Sequence, residues 1–203
     1  MRKQLARGIS LLLLLSTLAG GGLAETKIPP MLQPAKTSYT ALEGVILDED
    51  APMLLAAKRT ARLTQRMATR SGPGTKYSGL GSYFKKGQKV TVISKAYDKA
   101  NGIWWVQVEF TYGGKLRRAY TGAKRVKVNL SKVSQEKVRA TATTKVVIEP
   151  WYGPGKKYTQ HTRKIPANTT GKIIMYENGY ALFEYNDGTL RRAWVLKSLL
   201  NIK

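Results

Sequence analysis

Tyr77 and Tyr158 close two copies of one short phrase: Ser71-Gly72-Pro73-Gly74-Thr75-Lys76-Tyr77 returns as Tyr152-Gly153-Pro154-Gly155-Lys156-Lys157-Tyr158. Arg118 and Arg192 belong to a second repeated phrase, Lys115-Leu116-Arg117-Arg118-Ala119-Tyr120 and Thr189-Leu190-Arg191-Arg192-Ala193-Trp194, in the same order and at nearly the same distance from the first. Aromatic rings and guanidinium groups at matched spacing are equipped to stack on a ligand and hold it, not to break its bonds. Catalytic chemistry is poorly supplied. A thiol peptidase needs Cys and His, and a zinc amidase needs two or more His with a carboxylate; the chain has no Cys and one His, His161, read as a surface or loop residue. A glycosidase needs two carboxylates across a cleft, whereas Glu109, Glu184 and Asp187 suit strand and turn positions. Gly79-Leu80-Gly81 and Gly113-Gly114 lack the strand-to-helix setting of a phosphate loop. The chain reads as a non-enzyme with no cofactor and no metal.

The candidate ligand-binding residues are therefore Tyr77, Tyr83, Trp104, Trp105, Arg118 and Tyr120 in the first copy, with Tyr152, Tyr158, Tyr180, Arg192 and Trp194 in the second. Aromatic side chains are also the default core of a small fold, so each ring has equal standing as core filler. An Arg on an apolar face is costly unless paired or at a rim. Arg118 and Arg192 are thus either rim residues stacked on neighbouring rings or cations facing a ligand, and Arg117 and Arg191 are expected outside, neutralised by Glu109 and Glu184. The first copy keeps Trp104-Trp105 and the basic run Lys124-Arg125-Val126-Lys127 where the second has Gly179-Tyr180 and a less basic tail. On that basis the first copy is expected to bind more tightly.

Short β-prone runs must position these groups. Lys89-Val90-Thr91-Val92-Ile93 and Trp105-Val106-Gln107-Val108-Glu109-Phe110 alternate, and Lys115 to Tyr120 follows across Thr111-Tyr112-Gly113-Gly114. Gly171 to Tyr176, Tyr180 to Tyr185 and Thr189 to Val195 repeat the pattern. Asp187-Gly188 predicts a two-residue type I′ turn. That turn would set Tyr185 opposite Leu190, Glu184 opposite Arg191, Phe183 opposite Arg192 and Ala181 opposite Trp194. With no helical period, the pattern predicts an all-β chain of two small barrels, residues 59–133 and 134–203. Paired like modules suit a repetitive partner.

The residues resemble the bacterial Src homology 3 family, the SH3-like barrels of exported and cell-wall proteins. Thr69-Arg70-Ser71-Gly72-Pro73-Gly74-Thr75-Lys76-Tyr77, Lys85-Lys86-Gly87-Gln88-Lys89-Val90-Thr91-Val92 and Gly102-Ile103-Trp104-Trp105-Val106-Gln107-Val108 match its opening, second and central segments. Arg118-Ala119-Tyr120-Thr121-Gly122 stands where many members have Gly-Trp-Val. The second copy keeps Gly153-Pro154-Gly155, Tyr158, Gly188 and Trp194-Val195, but has Pro150-Trp151-Tyr152 for Arg-Ser and Tyr180 for the central Trp. The resemblance implies adhesion through a shallow aromatic groove, to peptidoglycan or to peptides, and not catalysis.

Ahead of the modules, Arg2, Lys3 and Arg7 precede an apolar run from Ile9 to Leu18, and Gly20-Gly21-Gly22-Leu23-Ala24 supplies small residues for cleavage. Residues 1–24 are read as a signal peptide, and 25–58 as a linker or pro-region whose acids, Glu43, Asp48, Glu49 and Asp50, could shield the basic modules; a short helix is expected after Asp50. Loss of the leader leaves 32 Lys plus Arg against 12 Asp plus Glu, a net charge of +20. Such an excess favours polyanions. The expected protein is secreted or wall-associated, with peptidoglycan or an anionic cell-wall polymer as partner. Another secreted protein, or nucleic acid or acidic glycan, stands as the alternative.

Overall fold

Alternation of buried and exposed side chains organises the chain into strands. The computed structural model describes residues 59–203, which belong to one compact unit. The expected leader, the linker and the helix after Asp50 lie outside the described residues. Strands β1 (Arg59–Arg62), β2 (Met67–Arg70), β3 (Gly79–Phe84), β4 (Lys89–Asp98), β5 (Ile103–Tyr112) and β6 (Lys115–Gly122) form a six-stranded sheet in the order β1-β4-β5-β6-β2-β3. Strands β7 (Ala140–Thr144), β8 (Thr170–Glu177), β9 (Tyr180–Asn186), β10 (Leu190–Leu196) and β11 (Leu200–Ile202) form a second sheet in the order β10-β9-β8-β7-β11. All named pairs are antiparallel. Three short 3-10 turns are the only helical pieces among the described residues, so the fold is all-β and no described helix is long or apolar enough to cross a membrane.

The repeat is visible in the pairing. Arg59 opposes Val92 as Ala140 opposes Ile173, and the strand order β1-β4-β5-β6 recurs as β7-β8-β9-β10. A register shift follows Val92 in β4 and Ile173 in β8, setting Ile93 and Ile174 at matching bulges. The expected closed barrels are not formed: β1 and β3 end the first sheet, β10 and β11 the second. In the second copy the counterparts of β2 and β3 make only isolated pairs, Ile148 with Ile165 and Trp151 with Gln160. Pro150, Pro154 and Pro166 deprive that stretch of ladder donors.

Each sheet has its own core. Phe84, Val90, Val92, Val106, Val108 and Phe110 fill the first, with the Phe84 and Phe110 rings edge to face at 4.6 Å. Ile148, Ile165, Ile173, Phe183, Tyr185 and Val195 fill the second. A third cluster of Ile174, Met175, Tyr180, Leu182 and Trp194 covers the opposite face of the second sheet.

Turn chemistry corrects the expected register. Asn186 opposes Leu190, so Asp187-Gly188-Thr189 is a three-residue loop, with Gly188 at φ +91° and Asp187 held by the Arg191 guanidinium. Every pair moves by one: Arg191 opposes Tyr185, Arg192 opposes Glu184 and Trp194 opposes Leu182. A slip of one residue exchanges the faces. Ala181, Phe183 and Tyr185 therefore share the core with Ala193 and Val195, while Arg192 and Trp194 lie on the other face. In the first copy Tyr112 opposes Lys115 across Gly113-Gly114, whose φ values of +58° and +75° suit a type I′ turn. Glu109 then opposes Arg118, and Gln107 opposes Tyr120.

Candidate functional site

The repeated phrases find each other across the two sheets. Ser78 N donates to Leu190 O at 3.0 Å, and Thr159 N donates to Leu116 O at 3.0 Å, a reciprocal exchange between copies. The Gly-Pro-Gly loops make that approach sterically feasible. A Cβ on Gly72 would meet the Tyr77 ring at 2.1 Å, and one on Gly153 would meet the Tyr158 ring at the same distance. Each tyrosine thus folds back over its own loop and points its hydroxyl into the other copy. The Tyr77 hydroxyl donates to Glu184 at 2.6 Å, and that of Tyr158 donates to Glu109.

Two buried arginines complete the lock. Arg118 Nε donates to Glu109 at 3.0 Å, and its two terminal nitrogens donate to Glu177 at 2.7 and 2.9 Å. Arg192 Nε donates to Glu184 at 2.7 Å, and its Nη1 donates to Glu136 and to the Tyr120 hydroxyl at 2.9 Å. Their side chains are 1% and 7% exposed. Arg118 also stacks over Tyr158 and Trp194, and Arg192 over Tyr77 and Tyr120. Burial opposes the charge on Arg118, yet the hydrogen bonds and field of Glu177, with Glu109 behind, raise its pKa above the ordinary guanidinium value. Burial raises the pKa of Tyr77, Tyr120 and Tyr158, so all three remain phenols that donate to the carboxylates. Glu184 is partly buried, which alone would favour its acid, but Arg192 and the Tyr77 hydroxyl hold its pKa below the usual value. A charge buried this way is tolerated only when fully paired, and loss of one partner is severe.

The candidate residues thus divide. Tyr77, Arg118, Tyr120, Tyr158, Arg192 and Trp194 are brought together and buried between the sheets, so their groups face the other copy and not solvent. The expected neutralisation of Arg117 and Arg191 by Glu109 and Glu184 is corrected, because those carboxylates serve Arg118 and Arg192. Arg191 instead pairs with Asp187, and Arg117 stacks on Tyr112 and Tyr152. Tyr152 is half-buried against His161, with ring centroids 3.6 Å apart. Burial, then the charges of Arg117 and Arg191, push the His161 pKa down to about 4. Trp105 and Tyr180 are buried, and Tyr83 is exposed beneath the Arg66 guanidinium. Trp104 is half-buried beside Tyr97, with Lys95 above it.

Beside the Arg192 cluster a groove of about 500 Å³ opens. Its walls come from the first Gly-Pro-Gly loop, the β4–β5 loop and the connector between the copies, and Glu184 and Arg192 lie in its floor. Lys76, Lys99 and Lys137 line it, with Tyr97, Pro73 and Val138 between them. Of the groove lining, sequence reasoning singled out Tyr77 and Arg192 and quoted Pro73 and Lys76 within a repeated phrase, but it missed Tyr97, Lys99, Lys137 and Val138 because no repeated phrase contains the β4–β5 loop or the connector. Glu136 and Glu177 were equally invisible. A signal was present for Glu177: it precedes Asn178-Gly179, a strong type I′ pair, which places it at a hairpin end. Among the described residues no group of three His, Cys, Asp or Glu could hold a metal.

No protein family and no curated protein matches the chain. Among solved structures it is similar to the structure of NlpC2 from Trichomonas vaginalis, at 14% identity and a TM-score of 0.28 over 73% of this chain and 49% of that one. The chain therefore spans about half the length of that structure, and the likeness is too slight to define its fold.

Proposed function

We propose that the protein is an exported, non-catalytic binding protein, a tandem of SH3-like modules that attaches to the bacterial cell envelope through peptidoglycan or anionic wall polymers. The observation that carries this reading is how the chain uses its acids. Residues 59–203 contain 29 Lys plus Arg and seven Asp plus Glu. Glu109, Glu136, Glu177 and Glu184 are committed to the two buried arginines. Asp187 pairs with Arg163 and Arg191, Glu149 with Lys164, and Asp98 accepts from Ala100 N and the Asn101 side chain. With its carboxylates engaged, and all of them but Glu149 at least partly buried, the chain offers its partners mainly lysine and arginine. A surface of one sign concentrates polyanions around it. The same commitment removes Glu109 and Glu184 from service as catalytic carboxylates.

Sedimentation with purified cell walls at physiological salt tests the proposal. Co-sedimentation that weakens when teichoic acid is stripped is expected for a wall-polymer ligand, and unchanged co-sedimentation for peptidoglycan. A protein that stays in the supernatant in both cases overturns the reading. The alternative, a binder of nucleic acid or free acidic glycan, predicts a log–log salt slope of roughly 0.9 per phosphate contacted on duplex DNA.

A further inference from the structure

We infer that the groove beside Arg192 is a binding site for an acidic carbohydrate, a short segment bearing phosphate or carboxylate on a ring or polyol. The inference rests on the polyanion-binding reading above and adds a place and a ligand class. On balance the charge in the groove is cationic: Lys76, Lys99, Lys137 and Arg192 stand against Asp98, Glu136 and Glu184. Its carboxylates are already engaged: Asp98 by Ala100 N and Asn101, Glu136 by Ser94, Tyr120 and Arg192, Glu184 by Tyr77 and Arg192. Lys76, Lys99 and Lys137 are exposed and have no anionic partner among the described residues. Lys76 sits 5.8 Å from the centre of the Tyr77 ring, which leaves its ammonium free to meet an anion.

Between the lysines the groove also presents apolar surface. Tyr97 is 45% exposed and is backed by Trp104 at 5.0 Å, so one ring is held in place with a face open. Val138, 56% exposed, extends that surface along the groove. A fixed ring and small apolar patches fit the C–H faces of a sugar, while three lysines around them meet its anionic substituents. The volume of about 500 Å³ lies within the range of small-ligand clefts. All three walls must be assembled for the site to exist, so it belongs to the docked pair and to neither copy.

The test titrates the full chain with two defined probes, an oligogalacturonate and a glycerol-phosphate oligomer, which separate uronate from polyol-phosphate sources. The combined Lys76→Ala, Lys99→Ala, Lys137→Ala variant is compared with Lys85→Ala, Lys86→Ala, Lys89→Ala, which removes equal charge at the β3–β4 turn. The groove variant should lose roughly tenfold or more in affinity for at least one probe, and the control less than about threefold. Tyr97→Ala should weaken the oligogalacturonate while leaving inorganic polyphosphate unchanged. Equal losses from the two lysine variants, or no binding of either probe by the unaltered chain, overturn the inference. Wall sedimentation that survives with the groove variant sinks the groove alone. Groove-dependent binding of a probe without any wall sedimentation sinks the envelope reading alone.

Discussion

The β8–β9 turn and the β4–β5 loop occupy equivalent places in the two copies and do opposite things. Asn178-Gly179 is a two-residue turn with φ values of +53° and +75°, and it ends β8 with Glu177 aimed across the interface at Arg118. In the first copy Ala96 opposes Trp105 as Glu177 opposes Tyr180, so residues 97–104 stand where the second copy has two: the ladder runs on, with Tyr97 opposite Trp104 and Asp98 opposite Ile103, to the loop Lys99-Ala100-Asn101-Gly102. Without a carboxylate at that position Arg192 needs another partner, and the connector supplies Glu136. One side of the near-symmetric interface is thus sealed by a hairpin, while the other is sealed by the connector and keeps the longer loop as a groove wall. Duplication provides two like locks. A longer hairpin in one copy leaves room for a site on one side.

The most damaging way to break this comparison is to remove the arginines one at a time. Arg118→Met and Arg192→Met should each cost about 3–5 kcal/mol in urea unfolding, because each leaves two carboxylates buried without their cation. Adding Glu177→Gln to Arg118→Met should recover part of that loss, and adding Glu136→Gln to Arg192→Met should do the same. An Arg192→Met loss below about 1 kcal/mol would show that the connector is no counterpart of the β8–β9 turn.

Acid should separate the copies next, because only the second carries a histidine. His161 is held to about 4 in the folded chain against an ordinary value of 6.5. Below pH 6.5 the unfolded chain therefore takes up a proton first, and stability falls as the pH drops from about 6.5 to about 4, then levels for this group. The expected loss is on the order of 3 kcal/mol. Melting temperatures across that window should flatten in His161→Phe, which keeps a ring against Tyr152. Glu184 contributes in a lower window, since its lowered pKa protects its pairing until the pH falls below the usual carboxylate range.

The loops offer a matched pair of smaller changes. Gly72→Ala and Gly153→Ala each push a Cβ into the ring of a buried tyrosine, and overpacking of this kind costs about 1–3 kcal/mol. Similar losses would mean that the two tyrosines are equivalent parts of one interface. A loss at only one would show that the reciprocal contacts are unequal in energy.

What could be read from the residues was the repeated unit. Alternating apolar runs give the strands, and repeated Gly-Pro-Gly and Arg-Arg phrases give two copies, because both signals are local. The register was lost at Asp187-Gly188, whose composition fits a two-residue turn as well as the three-residue loop that Thr189 completes. Gly113-Gly114 carries a type I′ signal of comparable kind and closes the tight turn instead. The slip at Asp187-Gly188 moves Arg192 to the wrong face and hides its pairing with Glu184, and passing over the tight turn at Gly113-Gly114 does the same for Arg118 and Glu109. Glu136 and Glu177 were beyond local reading, since their partners lie far along the chain and meet only when the sheets dock, and the groove lysines come from three separate segments that only docking brings together.

The finest test acts on the two turns themselves. Asn178 holds a left-handed conformation at φ +53°, which Asn tolerates and Ala does not, so Asn178→Ala should lower the urea midpoint by about 1 kcal/mol equivalent without changing the slope. Asn101 is not at positive φ, and its contribution is one part-buried hydrogen bond to Asp98 at 2.7 Å. Asn101→Ala should therefore cost only about 0.5 kcal/mol. Their other consequences should differ in kind. Strain in the β8–β9 turn reaches Glu177 and so weakens its coupling to Arg118 in a double-mutant cycle, whereas a loosened β4–β5 loop shifts Asp98 and Lys99 and alters probe binding with the Arg118 coupling unchanged. If Asn101→Ala disturbed the Arg118–Glu177 coupling as much as Asn178→Ala does, the two sides of the interface would be one cooperative element, and the division between a sealed side and an open one would fail.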